Sequence, residues 1–207
     1  MNDRLFGEVN GFARATPWLH GVMLAYASYG VVLFAGLLLA GWWIARRRGS
    51  GMTAAVWAPA GMLLALAVNQ PIVAAIGEPR PYTRLRHILV LATPSADPSF
   101  PSDHATMAGA VAAGMLLVSW RLGLLAVAAA AVMGFARVYI AAHYPMDVLA
   151  GYAVGAAVTL LGYAIARRPL TALLHRLEHT WLRPLLEAPP GPAPAPRVRA
   201  QSRQPRP

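Results

Sequence analysis

The chain has 207 residues, of which 57% are apolar and only 13% charged, with a mean hydropathy of +0.47. Soluble domains carry about 25% charged residues, so the composition excludes an ordinary soluble domain and points to a membrane protein. The net charge is +10, all eighteen basic residues are Arg, and the absence of Cys excludes disulfides and thiolate metal sites.

The first residues lack the basic start and unbroken apolar core of a secretory signal, so insertion is expected to rely on a retained span. Residues 3–14 set Leu5, Phe6, Val9, Phe12 and Ala13 on one helical face, with Asp3, Arg4, Glu8 and Arg14 elsewhere. This reads as an amphipathic helix lying on the membrane. A bilayer core of about 30 Å needs roughly 20 apolar helical residues. Five stretches qualify: 22–45, 53–76, 103–119 (the shortest), 122–142 and 146–166. Residues 170–186 again separate two faces, Leu170, Leu173, Leu174, Leu177, Trp181 and Leu185 against His175, Arg176, Glu178, His179 and Arg183. They read as a second interfacial helix. From Ala188 onward the chain is rich in Pro and Arg and is expected to be disordered.

The fold class expected is therefore all-α: a polytopic membrane bundle of about five transmembrane helices, with N- and C-terminal interfacial helices. The expected divisions are a membrane domain over 1–168, an interfacial helix over 169–187 and a tail over 188–207. Arginine runs at 46–48 and 167–168, with Arg121, cap alternate ends of the spans. The bias of basic residues towards the cytoplasm then puts the C-terminus inside and residues 77–102 outside. Arg80, Arg84 and Arg86 defy that bias, and anion binding is a reason for them to do so.

Polar residues gather at this same end in three clusters: "GEPRPYTRLRH" at 77–87, "PSDH" at 101–104 and "ARVYIAAHYPMD" at 136–147. Ser102 suits the N-cap of the third span, and Pro101 stops that helix from extending backwards. The free N–H groups of a first helical turn favour an anion, and His104 sits in that turn. Arg137, within an apolar span, is expensive in lipid and marks function or a buried partner. Pro145 suits the first position of the next helix. His143 then lies at the turn between spans four and five, with Asp147 in the opening turn of span five. An Asp four residues after a His can accept the imidazole N–H and fix its tautomer, leaving the other nitrogen to attack or to take a proton. Arg80 stands between two prolines, and guanidinium groups match phosphate oxygens with a planar fork of donors. Two arginines, a helix N-terminus and two histidines describe a phosphoryl-transfer site. Residue types alone leave open which His attacks, and Asp147 favours His143.

The motifs "RP" at 80–81, "PSDH" at 101–104 and Arg137, His143 and Asp147 in the spacing R-x5-H-x3-D resemble the three-part signature of the phosphatidic acid phosphatase type 2 superfamily. The resemblance spans about residues 53–166. "LFGEVNGFA" near the N-terminus, Asp103 in place of the usual Gly, and Glu78 are similar to the bacitracin-resistance type of undecaprenyl pyrophosphate phosphatase. Two positions depart from the pattern: Val73 stands where a Lys opens the first motif, and Ala136 where Ser often precedes the Arg. The resemblance implies a metal-independent lipid phosphatase without cofactors. Its catalytic residues would be His143 as nucleophile, Asp147 as its orienting carboxylate and His104 as general acid. Arg80, Arg137 and Ser102 would bind phosphate, with Asp103 beside them and Arg84 or Arg86 replacing the missing Lys. Glu78 would shape the pocket without catalysing.

The implied partners are a lipid pyrophosphate and the bacterial plasma membrane, with no nucleic acid and with the active site on the extracytoplasmic face. The alternatives are a phosphatidic acid or phosphatidylglycerol phosphate phosphatase and, in another class, a non-catalytic anion or lipid transporter. Binding alone has no need for an oriented nucleophile. A metal hydrolase would need ligands with no Arg beside them.

Overall fold

A computed structural model describes residues 2–186. The expected tail at 188–207 lies outside these residues. Within them the chain is helical with no strand. The longer helices are α1 (Asn2–Ala15), α2 (His20–Tyr29), α3 (Val31–Arg48), α4 (Met52–Ile76), α6 (Asp103–Val118), α7 (Trp120–Tyr139) and α8 (Pro145–Leu177). Two single-turn helices, α5 (Pro81–Arg84) and α9 (Arg183–Leu186), and a 3₁₀ turn at Pro17–Leu19 are the remaining helical elements among the described residues. By length and composition α4, α7 and α8 can each cross a membrane, and α2 with α3 makes a bent fourth. With 16 residues, α6 rises only about 24 Å.

The short helix is the centre of the molecule. It packs most heavily on α8, then on α4 and α7, and it is buried almost without interruption from Ala105 to Met115. Lipid gives helices little hydrophobic reason to associate, so close packing of small residues must hold them. Gly151 and Gly155, one turn apart on α8, press on the first two turns of α6. A Cβ at Gly155 would sit 2.1 Å from the Thr106 carbonyl oxygen, and one at Gly151 2.7 Å from that of Ser102. On the other side Gly114 meets Ala58 of α4. Large apolar side chains such as Leu39, Leu63, Leu125, Leu161 and Ile165 point outwards instead, where lipid would cover them.

Three elements differ from the sequence reading. The first span is broken at Gly30, where α2 and α3 meet at 53°. A Cβ there would lie 2.5 Å from the Tyr26 carbonyl and 2.6 Å from Met133, so the bend needs glycine. Helix α1 is amphipathic as expected, but part of its inner face is polar. Phe6 packs edge-on against Tyr144, and Asn10 bonds both main-chain groups of Leu89, at 2.7 and 3.0 Å. It is thereby tied to the loops beside the bundle, while Leu5 and Phe12 stay exposed. The segment after Arg168 does not begin a separate helix: α8 runs through Pro169 to Leu177. Pro169 lacks the N–H that would meet the Ile165 carbonyl, and a membrane helix continues through such a break where surrounding groups compensate. Thr171 donates to the Arg167 carbonyl in that turn.

Gly155→Ala should lower the melting temperature in detergent by roughly 5–10 °C through overpacking of α6 against α8. Gly36→Ala should not, because nothing lies within 4 Å of its Cβ position. Equal melting temperatures would show that the α6–α8 contact is not close.

Candidate active site

The three polar clusters meet around one cavity of about 630 Å³ at the end of the bundle where α6 and α8 begin. Arg80, Asp103, His104, Arg137 and His143 all line it. Backbone bonds bring the clusters together. Ser102 N–H donates to the Asp147 carbonyl at 3.1 Å, and Ser99 N–H to that of Glu78 at 2.7 Å. The turn after α7 passes through Ala141 at φ 64°, an uncommon conformation for a residue with a Cβ. Ala142 and His143 then donate back to the Arg137 carbonyl at 3.0 and 3.3 Å.

His143 is buried. Its Nδ1 lies 2.8 Å from the Ser99 carbonyl oxygen, which can only accept, so this nitrogen carries the proton. Nε2 keeps its lone pair and faces two guanidinium groups, Arg137 at 3.3 Å and Arg80 at 3.5 Å. Burial pushes the imidazole below its ordinary value of 6.5. The nearby carboxylate of Asp147 pushes the other way, and Arg137 and Arg80 add to the lowering. The neutral ring is therefore the favoured state.

Asp147 does not accept the imidazole proton directly, as the i, i+4 spacing had led us to expect. Its Oδ2 is 3.6 Å from Nδ1, beyond hydrogen-bond range. That oxygen caps α8 instead, taking the Tyr144 N–H at 2.8 Å, and it accepts the Ser99 hydroxyl. The carboxylate thus reaches His143 by charge and through Ser99. Ser99 went unnoticed in the sequence because its main-chain carbonyl carries no residue signal.

Arg80 is aimed by main-chain oxygens, Nε to Asp97 at 2.8 Å and Nη1 to Ala142 at 3.2 Å. Arg137 Nη1 reaches the Ala27 carbonyl of α2 at 3.5 Å, and its Nε is buried without a partner among the described residues. Asp103 lines the cavity with its Oδ1 held by two amides of α4, Asn69 at 2.7 Å and Gln70 at 3.0 Å. Neither amide was anticipated, although a polar pair inside an apolar span is a signal.

Two expected phosphate ligands stand apart from the cavity lining. Ser102 is fully buried, and its hydroxyl caps α6 by accepting from Ala105 N–H. Arg84 pairs with Asp3 of α1 and lies over the Tyr144 ring, 5.5 Å from its centre. Both are already engaged locally, which is why neither reaches the cavity. Val73, at the position of the missing Lys, does line it, beside Ala74 of α4 and Leu24 and Ser28 of α2. That wall is therefore largely apolar.

The family model described as the PAP2 superfamily matches residues 54–170. Undecaprenyl-diphosphatase BcrC of Bacillus subtilis (strain 168) is 30% identical over 193 residues, covering 91% of this chain and 97% of that protein. An undecaprenyl-diphosphatase of Sulfolobus acidocaldarius is 28% identical over 174 residues, covering 80% of this chain and 78% of its own. The crystal structure of Aquifex aeolicus LpxE shares the fold, with a TM-score of 0.62 over 79% of this chain and 94% of that one, at 23% identity. Matched from α4 to α8 by the family model and aligned nearly end to end with a curated relative, the chain belongs to the PAP2 superfamily.

Proposed function

We propose that this chain is a membrane phosphatase that hydrolyses undecaprenyl diphosphate to undecaprenyl phosphate and inorganic phosphate. The setting of His143 carries the reading: a buried imidazole with its proton fixed on the Ser99 carbonyl and its lone pair aimed between two arginines. A site that only bound an anion would gain nothing from an oriented lone pair. The names of the relatives above point to the diphosphate. Recycling of a cell-wall carrier lipid follows from that substrate.

The chemistry runs in two displacements. His143 Nε2 attacks the terminal phosphorus, the anhydride P–O bond breaks, and the lipid monophosphate leaves with a proton from His104. Water then attacks the phosphohistidine, His104 takes its proton, and inorganic phosphate departs with His143 restored. Arg80 and Arg137 pass their free N–H groups from Nε2 to the oxygens of the phosphoryl group in flight and neutralise its charge. Ser102 supports the site as the cap of α6. Asp103, held by Asn69 and Gln70, shapes the phosphate end of the pocket. The tail runs out between α2 and α4, which scarcely touch each other and line the apolar wall with Leu24, Val73 and Ala74. The cavity faces the extracytoplasmic side of the bacterial membrane, because the arginine-rich ends of α3 and α8 lie at the opposite end.

His143→Gln should abolish turnover and the alkali-stable phosphoenzyme in a rapid quench with labelled lipid diphosphate. His104→Gln should retain activity lowered about 10²–10⁴-fold, the usual worth of a general acid. Arginines supply the positive charge, so chelator should leave the rate unchanged. Label persisting on the His143→Gln protein would overturn the assignment.

The acid limb of kcat/KM reports protonation of the free nucleophile. A lowered His143 value keeps Nε2 unprotonated below pH 6.5, so activity should persist below that pH and fall only as the ring takes up a proton. Asp147→Asn removes a group that raises the value. Its residual activity should show an acid limb displaced further down. A limb at or above pH 6.5 in the unaltered protein would contradict the geometry.

The orientation is tested on a chain that has no cysteine of its own. Ser95→Cys, beside the cavity, should react with an impermeant thiol reagent in whole cells, and Ser50→Cys, between α3 and α4, should not. The reverse pattern would invert the topology.

A further inference from the structure

At the end of the bundle away from the catalytic cavity, a second depression of about 600 Å³ lies between the start of α4 and the last turns of α8. Gly51 and Thr53 form one side, and Tyr163, Arg167, Arg168, Thr171 and His175 the other. We propose that it binds the phosphate headgroup of an anionic phospholipid.

Charge is the first argument. Among the described residues Glu178 is the sole acid at this end, and His175 engages it at 2.9 Å. The remaining described acids lie in or around the catalytic end. Basic pockets between membrane helices suit acidic headgroups, where each Arg near the surface is worth about 1 kcal/mol.

The state of the arginines is the second. Arg46 and Arg47 lie over Trp42 and Trp43, and Arg121 lies over Trp120. The guanidinium groups of Arg167 and Arg168 have no ion pair, ring contact or hydrogen bond among the described residues. They project from a helix that continues two turns beyond them, past Pro169, to form the wall of the depression.

The floor is the third. Thr171 donates its proton to the Arg167 carbonyl at 2.7 Å, so in the 3.0 Å contact between the two hydroxyls Thr53 is the donor. This bond ties α4 to α8 at the floor of the depression. Neither hydroxyl keeps a proton for an anion, which leaves the charged donors to Arg167 and Arg168. A lipid is favoured over free phosphate because the depression adjoins the outer surface of α8, where Ile165, one turn from Arg168, is exposed.

The test uses the full chain in neutral detergent, titrated with phosphatidylglycerol, with phosphatidylcholine and with inorganic phosphate, followed by melting temperature. Phosphatidylglycerol should raise it saturably and phosphatidylcholine should not, while any rise with inorganic phosphate, a product of the catalytic cavity, should be the same in the unaltered protein and in the variants. The double variant Arg167→Gln, Arg168→Gln should need about 30-fold more phosphatidylglycerol for the same shift. Arg47→Gln, Arg176→Gln removes the same charge elsewhere and should respond as the unaltered protein does. Turnover of the lipid diphosphate in detergent free of phospholipid should be equal in all three proteins, because neither pair touches the catalytic cavity. An equal response to both lipids, an equal loss in both double variants, or a response to inorganic phosphate that is lost with Arg167 and Arg168 would each overturn the proposal.

Discussion

Everything at the catalytic end depends on how closely two backbones approach. Gly151 and Gly155 let α8 lie against the first turns of α6, so the main chains of Ser102 and Asp147 are joined by a hydrogen bond. The "PSDH" segment and the segment from His143 to Asp147 come from the two ends of a helical hairpin, α6 and α7, and this contact joins them. A larger residue at either glycine would part the two histidines without touching either of them.

The contact also explains why a helix too short for an ordinary span sits at the centre. Its first turn meets Asn69 and Gln70 of α4, which runs on to Ile76, and the loops at 77–102 and 140–144 lie at that end. Those loops carry Arg80, Ser99 and His143. Irregular backbone at this depth is acceptable because it lies within protein and lines a polar cavity, away from lipid. Helix α1 covers the arrangement from the side, through Asn10 on Leu89 and Asp3 on Arg84.

Much of this was legible in the sequence, and the parts that were not share a cause. The spans, the Ser102 cap, and the convergence of Arg80, His104, Arg137 and His143 follow from apolar run lengths, proline positions and charges too costly to leave in lipid. The bend at Gly30 was hidden, because hydropathy is blind to a change of direction. Helix α8 overran its expected end because a proline after two arginines looks like a terminus, although a helix can continue through one. Asn69 and Gln70 were visible as polar residues in an apolar span, but their target on another helix was not. Arg84 and Ser102 carry the right chemistry for phosphate, yet nearer partners claimed them, and sequence spacing holds no record of that competition.

The proton of the nucleophile rests on a main-chain oxygen, and this has a consequence for genetics. Substituting Ser99 removes a hydroxyl from Asp147 but leaves its carbonyl in position beneath the imidazole. A saturation screen would therefore score position 99 by its lesser group and pass over the greater one. The tautomer of His143 is encoded in the path of the chain between Pro98 and Pro101, where no codon change addresses it directly. An alignment of related sequences would be silent about it for the same reason, since what is inherited there is a shape.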